Sequence, residues 1–244
     1  MKAVERWYSD RVGEQVNLVR WGTVGTPLLI FPTAGGDFEE IERFHLVGSL
    51  EPLLAAGRIK VYSVDSINGR AFFTGTDSAR VGQVMNGFDS MIRHEIVPAI
   101  RADCQSSTVE IITAGASIGA FNALEVLCRH PGVFSAAICV SGTYDLTKWL
   151  NGPMTSDFYF SSPVHYLSQL VEGELLRTLR TRFVLFTHGL GRAEAPDESW
   201  RAAAVLGSLG IPNRVDEWGP EWPHDWVTWR EMFPRYVDEL TART

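Results

Sequence analysis

Residues 109–130 read VEIITAGASIGAFNALEVLCRH. The first five are mostly apolar and suit a buried strand, whereas from Ile118 apolar side chains recur with helical period to about His130. Between the two lies Gly115-Ala116-Ser117-Ile118-Gly119, a G-x-S-x-G pattern. In a chain with 22 glycines the pattern alone is weak. Its position between strand and helix is what makes it informative, because a serine nucleophile has to stand on a turn of this kind. The turn strains the backbone of its central residue and drives the flanking residues together. Glycine at 115 and 119, with Ala116 and Ala120 beside them, removes those collisions. Ser117 would then sit beside the free N–H of Ile118 at a helix N-terminus, a donor suited to a developing oxyanion. The plainer alternative is a strand-to-helix turn rich in small residues for packing reasons.

Outward from this stretch, apolar strand patterns alternate with longer helical ones. Strands are predicted at Glu14–Trp21, Leu28–Pro32, Ile59–Val64, Ala136–Ser141, Arg182–His188 and Asn213–Trp218. Helical patterns cover 39–56 (closed by Gly57), 78–103, 198–209 and Trp226–Thr241. Residues 143–180 form an irregular excursion rich in aromatics. Regular alternation implies one α/β domain over 1–244, with a mostly parallel central sheet and helices on both faces. Ligands in such sheets bind beyond the C-terminal strand ends.

A serine hydroxyl needs an adjacent base, and six histidines compete. His45, His94, His130 and His165 fall in helices or in the irregular region, where a solvated or core histidine is the simpler account. His188 ends a strand near the site and is a candidate pocket wall. His224 lies in the loop after the last strand, EWGPEWPHDWVTW, where the base of a Ser…acid…His order belongs. Burial among Trp218, Trp222, Trp226 and Trp229 is its alternative account. The acid that orients the imidazole is expected after RFVLFTH, in HGLGRAEAPDES. Glu194 is favoured there over Asp197, which looks like a helix N-cap. Asp145, after AAICVS, is the runner-up. A second oxyanion donor is expected from Thr33-Ala34-Gly35-Gly36, with Gly35 first and Gly36 next.

Bulk composition narrows the remaining classes. The chain has 244 residues, a net charge of −7, 45% hydrophobic and 21% charged residues. That supports a sizeable core and argues against a nucleic-acid partner, which would need a basic face. It argues weakly against an anionic membrane surface. Three widely spaced cysteines without a CxxC suit free thiols in a reducing compartment rather than a disulfide framework or zinc site. No apolar signal segment, membrane-length run, Rossmann fingerprint or P-loop is visible. A cytoplasmic protein without cofactor or metal, acting on a small-molecule ester, is therefore expected, with homo-oligomer formation left open.

Four segments together are familiar: FPTAGGDFEE, the SVDS of residues 63–66, GASIGAFNAL with RHPGVFSAAICVSGTYDL, and EWPHDWVTWREMFPRY. They resemble the Putative esterase family of α/β-hydrolases, related to esterase D, enterochelin esterases and mycolyltransferases. The resemblance spans nearly the whole chain. It implies an α/β-hydrolase fold, a catalytic serine at 117, histidine at 224, and oxyanion amides near 35 and 118. Aligning GLGRAEAPDE with the family's acid segment puts Glu194 on the acid. The elbow reads GASIG where many relatives carry Met and a further Gly, which implies a different pocket shape. Ester hydrolysis through an acyl-enzyme is the expected activity. The alternatives are acyl transfer at the same residues, or a non-catalytic binding protein keeping a relic elbow.

Overall fold

The computed structural model describes residues 1–72, 74 and 77–242. Eight strands form a single sheet: β1 (Lys2–Ser9), β2 (Glu14–Trp21), β3 (Thr26–Phe31), β4 (Ile59–Val64), β5 (Ile111–Ala116), β6 (Phe134–Val140), β7 (Phe183–His188) and β8 (Asn213–Glu217). Their spatial order is β1-β2-β4-β3-β5-β6-β7-β8. β1 and β2 form an antiparallel pair and β2 runs antiparallel to β4, while every pairing from β4 to β8 is parallel. The expected α/β architecture is present. Two central strands, β4 and β5, are buried at every position, as suits strands covered on both faces, and the buried polar side chains among them include Lys60, Ser63 and Thr113.

Parallel pairing fixes where the chemistry can be. Phe31 pairs with Gly115, Ala116 with Val140, Val140 with Thr187, and His188 with Glu217. The last residues of β3, β5, β6, β7 and β8 therefore finish along one edge of the sheet. The loops beginning at Pro32, Ser117, Ser141, Gly189 and Trp218 all leave from that edge.

Helices cover both faces. On one side, α1 (Ser78–Met91) continues through a π-helical stretch, Ile92–Ile96, into Val97–Asp103, and α2 (Ile118–Arg129) packs nearby. Pro98 opens that last segment without an N–H to donate, which fits the irregular turn before it. The core here joins Phe31, Phe88, Leu124, Phe134 and Phe186. α3 (Pro196–Ser208) joins the same core through Ala202, Ala203 and Leu206 and packs beside β7 and β8. On the other side, α4 (Trp226–Thr241) buries Trp229, Met232, Phe233 and Tyr236 against Leu28, Ile30 and Ile138.

Several boundaries differ from expectation. β1 is an extra strand, built by the hairpin that turns at Gly13. The 39–56 pattern is not one helix but three short ones, Glu40–Arg43, Leu46–Ser49 and Glu51–Ala55. His45 adopts a left-handed conformation (φ 64°) between the first two, and Pro52 begins the third. β5 starts at Ile111 and runs on to Ala116, and α3 starts at Pro196. Cys104, Cys128 and Cys139 are free. Among the described residues, no helix is long and apolar enough to cross a membrane.

Candidate active site

Ser117 follows the last residue of β5 and precedes the first of α2, with φ 57° and ψ −122°. An L-residue rarely adopts such a backbone, and it persists only where the surroundings over-determine it. Here they do. The Ser117 N–H donates to the Val140 carbonyl at 3.0 Å, and its own carbonyl accepts from Ala120 N–H at 3.1 Å. A Cβ on Gly115 would overlap the backbone of Gly119, and one on Gly119 would overlap the Phe31 carbonyl. The glycines therefore stand where only glycine fits, as the steric argument predicts. α2 is buried along eleven of its twelve residues, which anchors the turn from the other side. The Ile118 N–H, first in that helix, has no intrahelical acceptor.

The loop after β3 approaches from the neighbouring strand. Its four residues form a turn in which Gly36 N–H donates to the Thr33 carbonyl at 3.1 Å, with Gly35 at φ 75°. That spends the Gly36 N–H on the turn and leaves Gly35, of the two glycines, as the candidate donor. The turn rests on Glu40, which is 6% exposed. Glu40 Oε2 accepts the Thr33 N–H at 2.7 Å and Oε1 accepts the Thr33 hydroxyl at 2.8 Å. Burial raises the Glu40 carboxyl above its usual range, and the two Thr33 bonds only partly oppose this.

Glu194 and His224 come from the loops after β7 and β8, which are bonded to each other. Gly191 N–H donates to the Trp222 carbonyl and His224 N–H to the Arg192 carbonyl, both at 3.0 Å. Glu194 Oε2 lies 3.6 Å from His224 Nδ1, with the Glu194 side chain 1% exposed. Oε2 is buried and has no hydrogen-bonding partner among the described residues, so the imidazole is the polar group it faces. Such a separation is slightly long for a hydrogen bond, as is common when no substrate is bound. The imidazole packs edge-on against Trp229, with ring centroids 5.1 Å apart. Trp229 in turn meets Trp226, which stacks on Phe44.

The other candidates are placed elsewhere. Asp197 is not a helix cap: Ala195 occupies that position, and Asp197 is an exposed residue of the first turn of α3. Asp145 binds Thr147 and pairs with Arg201 at 3.1 Å. Burial pushes its carboxyl up, but the Thr147 bonds and the charges of His165 and Arg201 more than reverse this and hold it low. His188 is fully buried, with Nε2 3.4 Å from Glu217 Oε2. His130 binds Asp89 and His165 binds Ser162, at 2.8 and 2.7 Å. No cluster of His, Cys, Asp and Glu among the described residues could hold a metal ion.

Two contributors had no visible signal in the sequence. Ser141, at φ 45° just past β6, donates its hydroxyl to Glu194 Oε1 at 2.6 Å. Glu198 Oε2 accepts the N–H groups of Tyr144 and Asp145 at 2.7 and 3.0 Å, tying the loop after β6 to α3. A lone serine or glutamate of this kind carries no motif. Only a position just past a strand end, next to a glycine, could have drawn attention to Ser141.

Comparison with known proteins bears on the fold and the family. Among solved structures, a ferulic acid esterase superposes with a TM-score of 0.74 at 15% identity, over 99% of this chain and 98% of that one. An S-formylglutathione hydrolase from Agrobacterium tumefaciens gives 0.72 at 10% identity, over 100% and 95%. A fluorophosphonate-binding serine hydrolase of Staphylococcus aureus gives 0.68 at 12% identity, over 99% and 98%. No curated protein matches. At these identities the structures establish a shared α/β-hydrolase fold. The family model named Putative esterase matches residues 73–240, more than half of the chain. The chain thus belongs to the Putative esterase family and is a carboxylic ester hydrolase.

Proposed function

We propose that the chain cleaves carboxylic esters through an acyl-enzyme formed on Ser117. The observation that carries this is the strained backbone of Ser117 at the head of the buried helix α2. Strain of this kind is kept where it aims a side chain, and here it aims a hydroxyl from the sheet edge toward which the other loops converge.

In this reading His224 Nδ1 faces Glu194, which leaves Nε2 to take the proton from Ser117 Oγ as the hydroxyl attacks the ester carbonyl. The N–H groups of Ile118 and Gly35 receive the negative oxygen of the tetrahedral intermediate. Collapse expels the alcohol, which takes its proton from His224. A water molecule then repeats the sequence on the acyl-enzyme, with His224 again as base and Ser117 Oγ as the leaving group. Glu194 holds the ring and stabilises the imidazolium formed in each half.

Fluorophosphonate labelling of wild type and Ser117→Ala, read by mass spectrometry, tests the assignment. Wild type should gain one adduct on the peptide containing Ser117, and Ser117→Ala should gain none. An adduct on any other residue, or hydrolysis of p-nitrophenyl acetate undiminished in Ser117→Ala, would remove Ser117 from the reaction.

A further inference from the structure

We propose that Ser141 is a positioning residue for ester hydrolysis: its hydroxyl holds the Glu194 carboxylate in the one orientation that leaves Oε2 to His224. This rests on the assignment of Ser117, His224 and Glu194 made above.

The geometry around Ser141 is as constrained as that around Ser117. Ser141 is one of five non-glycine residues with positive φ among the described residues, at 45°, and is 3% exposed. Its N–H donates to the Thr187 carbonyl at 2.7 Å, which locks the residue between the ends of β6 and β7. Three residues on, Glu198 takes the N–H groups of Tyr144 and Asp145, so the backbone is held on both sides of the serine. Ala193, immediately before Glu194, also has a positive φ of 66°. Both ends of the Ser141–Glu194 hydrogen bond thus stand on or beside uncommon backbone conformations. A link that served only to join two loops would not need them.

The chemistry explains the arrangement. A buried carboxylate has two oxygens to satisfy, and a bare one is costly. Ser141 satisfies Oε1 at 2.6 Å and leaves Oε2 facing His224 Nδ1. Pinning Oε1 stops the carboxylate rotating about its terminal bond or turning away from the ring. A neutral donor suits this task better than a lysine or arginine, because a cation would cancel the charge that the imidazolium needs in the transition state.

The test compares Ser141→Gly and Ser141→Ala with wild type. Glycine accepts φ near 45° without strain, which offsets part of the cost of leaving Glu194 Oε1 bare, so Ser141→Gly should stay folded with a urea midpoint only modestly below wild type. With p-nitrophenyl acetate its kcat and kcat/KM should fall together by about 10–50-fold, as when an interaction made in the transition state is lost. Labelling of Ser117 by fluorophosphonate should slow by a similar factor, and Ser141→Ala should lose activity to the same extent. Wild-type kcat in Ser141→Gly, or a loss that tracks a collapsed urea midpoint, overturns the proposal while leaving the Ser117 assignment standing. A wild-type protein that neither labels nor hydrolyses removes that assignment, and this inference with it.

Discussion

Among the described residues, Ser162 bonds a histidine that lies near a carboxylate, and the site proposed around Ser117 draws on the His224–Glu194 pair; the two differ in what surrounds the serine. Ser162 Oγ lies 2.7 Å from His165 Nδ1, and His165 Nε2 lies 3.9 Å from Asp145 Oδ1. The Ser117 region shows a Glu194–His224 separation of 3.6 Å. Residue types and distances would not separate the two. Backbone does. Ser162 sits at φ −113° and ψ 101°, an ordinary extended conformation, and is fully buried. The residue after it is Pro163, which has no N–H to offer an oxyanion. The residue after Ser117 is Ile118, whose N–H is free at the head of a twelve-residue helix. The Ser162 cluster is a structural knot in the 143–180 excursion, whereas the Ser117 region has the donors and the strain that acyl transfer uses. A serine site is recognised by what surrounds the hydroxyl more than by what touches it.

The largest expected effect separates the two serines directly. Ser117→Ala should lower kcat for p-nitrophenyl acetate by roughly 10⁴–10⁶, because the members of such a group act as a unit. Ser162→Ala should stay within about threefold of wild type, as for a residue outside the site. The reverse pattern would exchange the two roles.

The acids come next. Glu194→Gln should fold normally and lose roughly 10²–10⁴ in kcat, since an amide cannot stabilise the imidazolium. Asp145→Asn should keep kcat within a few-fold but lower the melting temperature, because Asp145 anchors Thr147 and Arg201. Exposed Asp197 should tolerate Asn with little change in either measurement. If Asp145→Asn collapses turnover while Glu194→Gln does not, the acid has been assigned to the wrong loop.

Stability offers a sign test. Ser117→Gly relieves a positive φ and should stabilise the fold by about 0.5–1 kcal/mol while abolishing turnover. Ser162→Ala leaves His165 Nδ1 without its buried partner and should cost about 1–2 kcal/mol. Urea unfolding of both variants should give shifts of opposite sign. A destabilised Ser117→Gly would mean that the Ser117 backbone is relaxed.

How much of this was legible beforehand follows the same division. The strand–elbow–helix stretch could be read because its apolar run, two obligatory glycines and helical period all express backbone constraints locally. Gly35, His224 and Glu194 could be placed because each lies in a loop that chain order assigns to the same sheet edge. β1 was missed because it is an edge strand with only two partly buried positions besides Ser9, and such a strand carries little hydrophobic signal. The single 39–56 helix was wrong because a left-handed residue at His45 leaves no mark in composition. Ser141 and Glu198 were invisible as participants because each acts through long-range side-chain bonds. Such bonds are set by tertiary packing, over separations of 53 residues for Ser141 and Glu194.

The smallest effect probes the loop that the Ser162 knot lacks. Glu40 clamps the Thr33–Gly36 turn through both oxygens, so removing the clamp should blunt the Gly35 donor without touching the fold's core. Glu40→Ala should lower kcat by about tenfold, less than loss of a direct oxyanion donor. Glu40→Gln retains an acceptor for the Thr33 N–H and should stay within about twofold, showing that geometry rather than charge is used there. The pH dependence of stability gives the second arm. Burial raises the Glu40 carboxyl in the folded protein above its unfolded value, so the fold holds this proton more tightly than the unfolded chain does. The stability gained in this way is fully present below the unfolded carboxylate value and is lost as pH rises through the raised one. Glutamine does not titrate. The melting temperatures of wild type and Glu40→Gln should therefore lie close together at about pH 4, and wild type should fall progressively behind toward pH 7, all other carboxylates cancelling in the difference. Were wild type instead to gain on Glu40→Gln as pH rises, the buried carboxylate would be a net stabilising anion, and the turn would be held by charge as well as by shape.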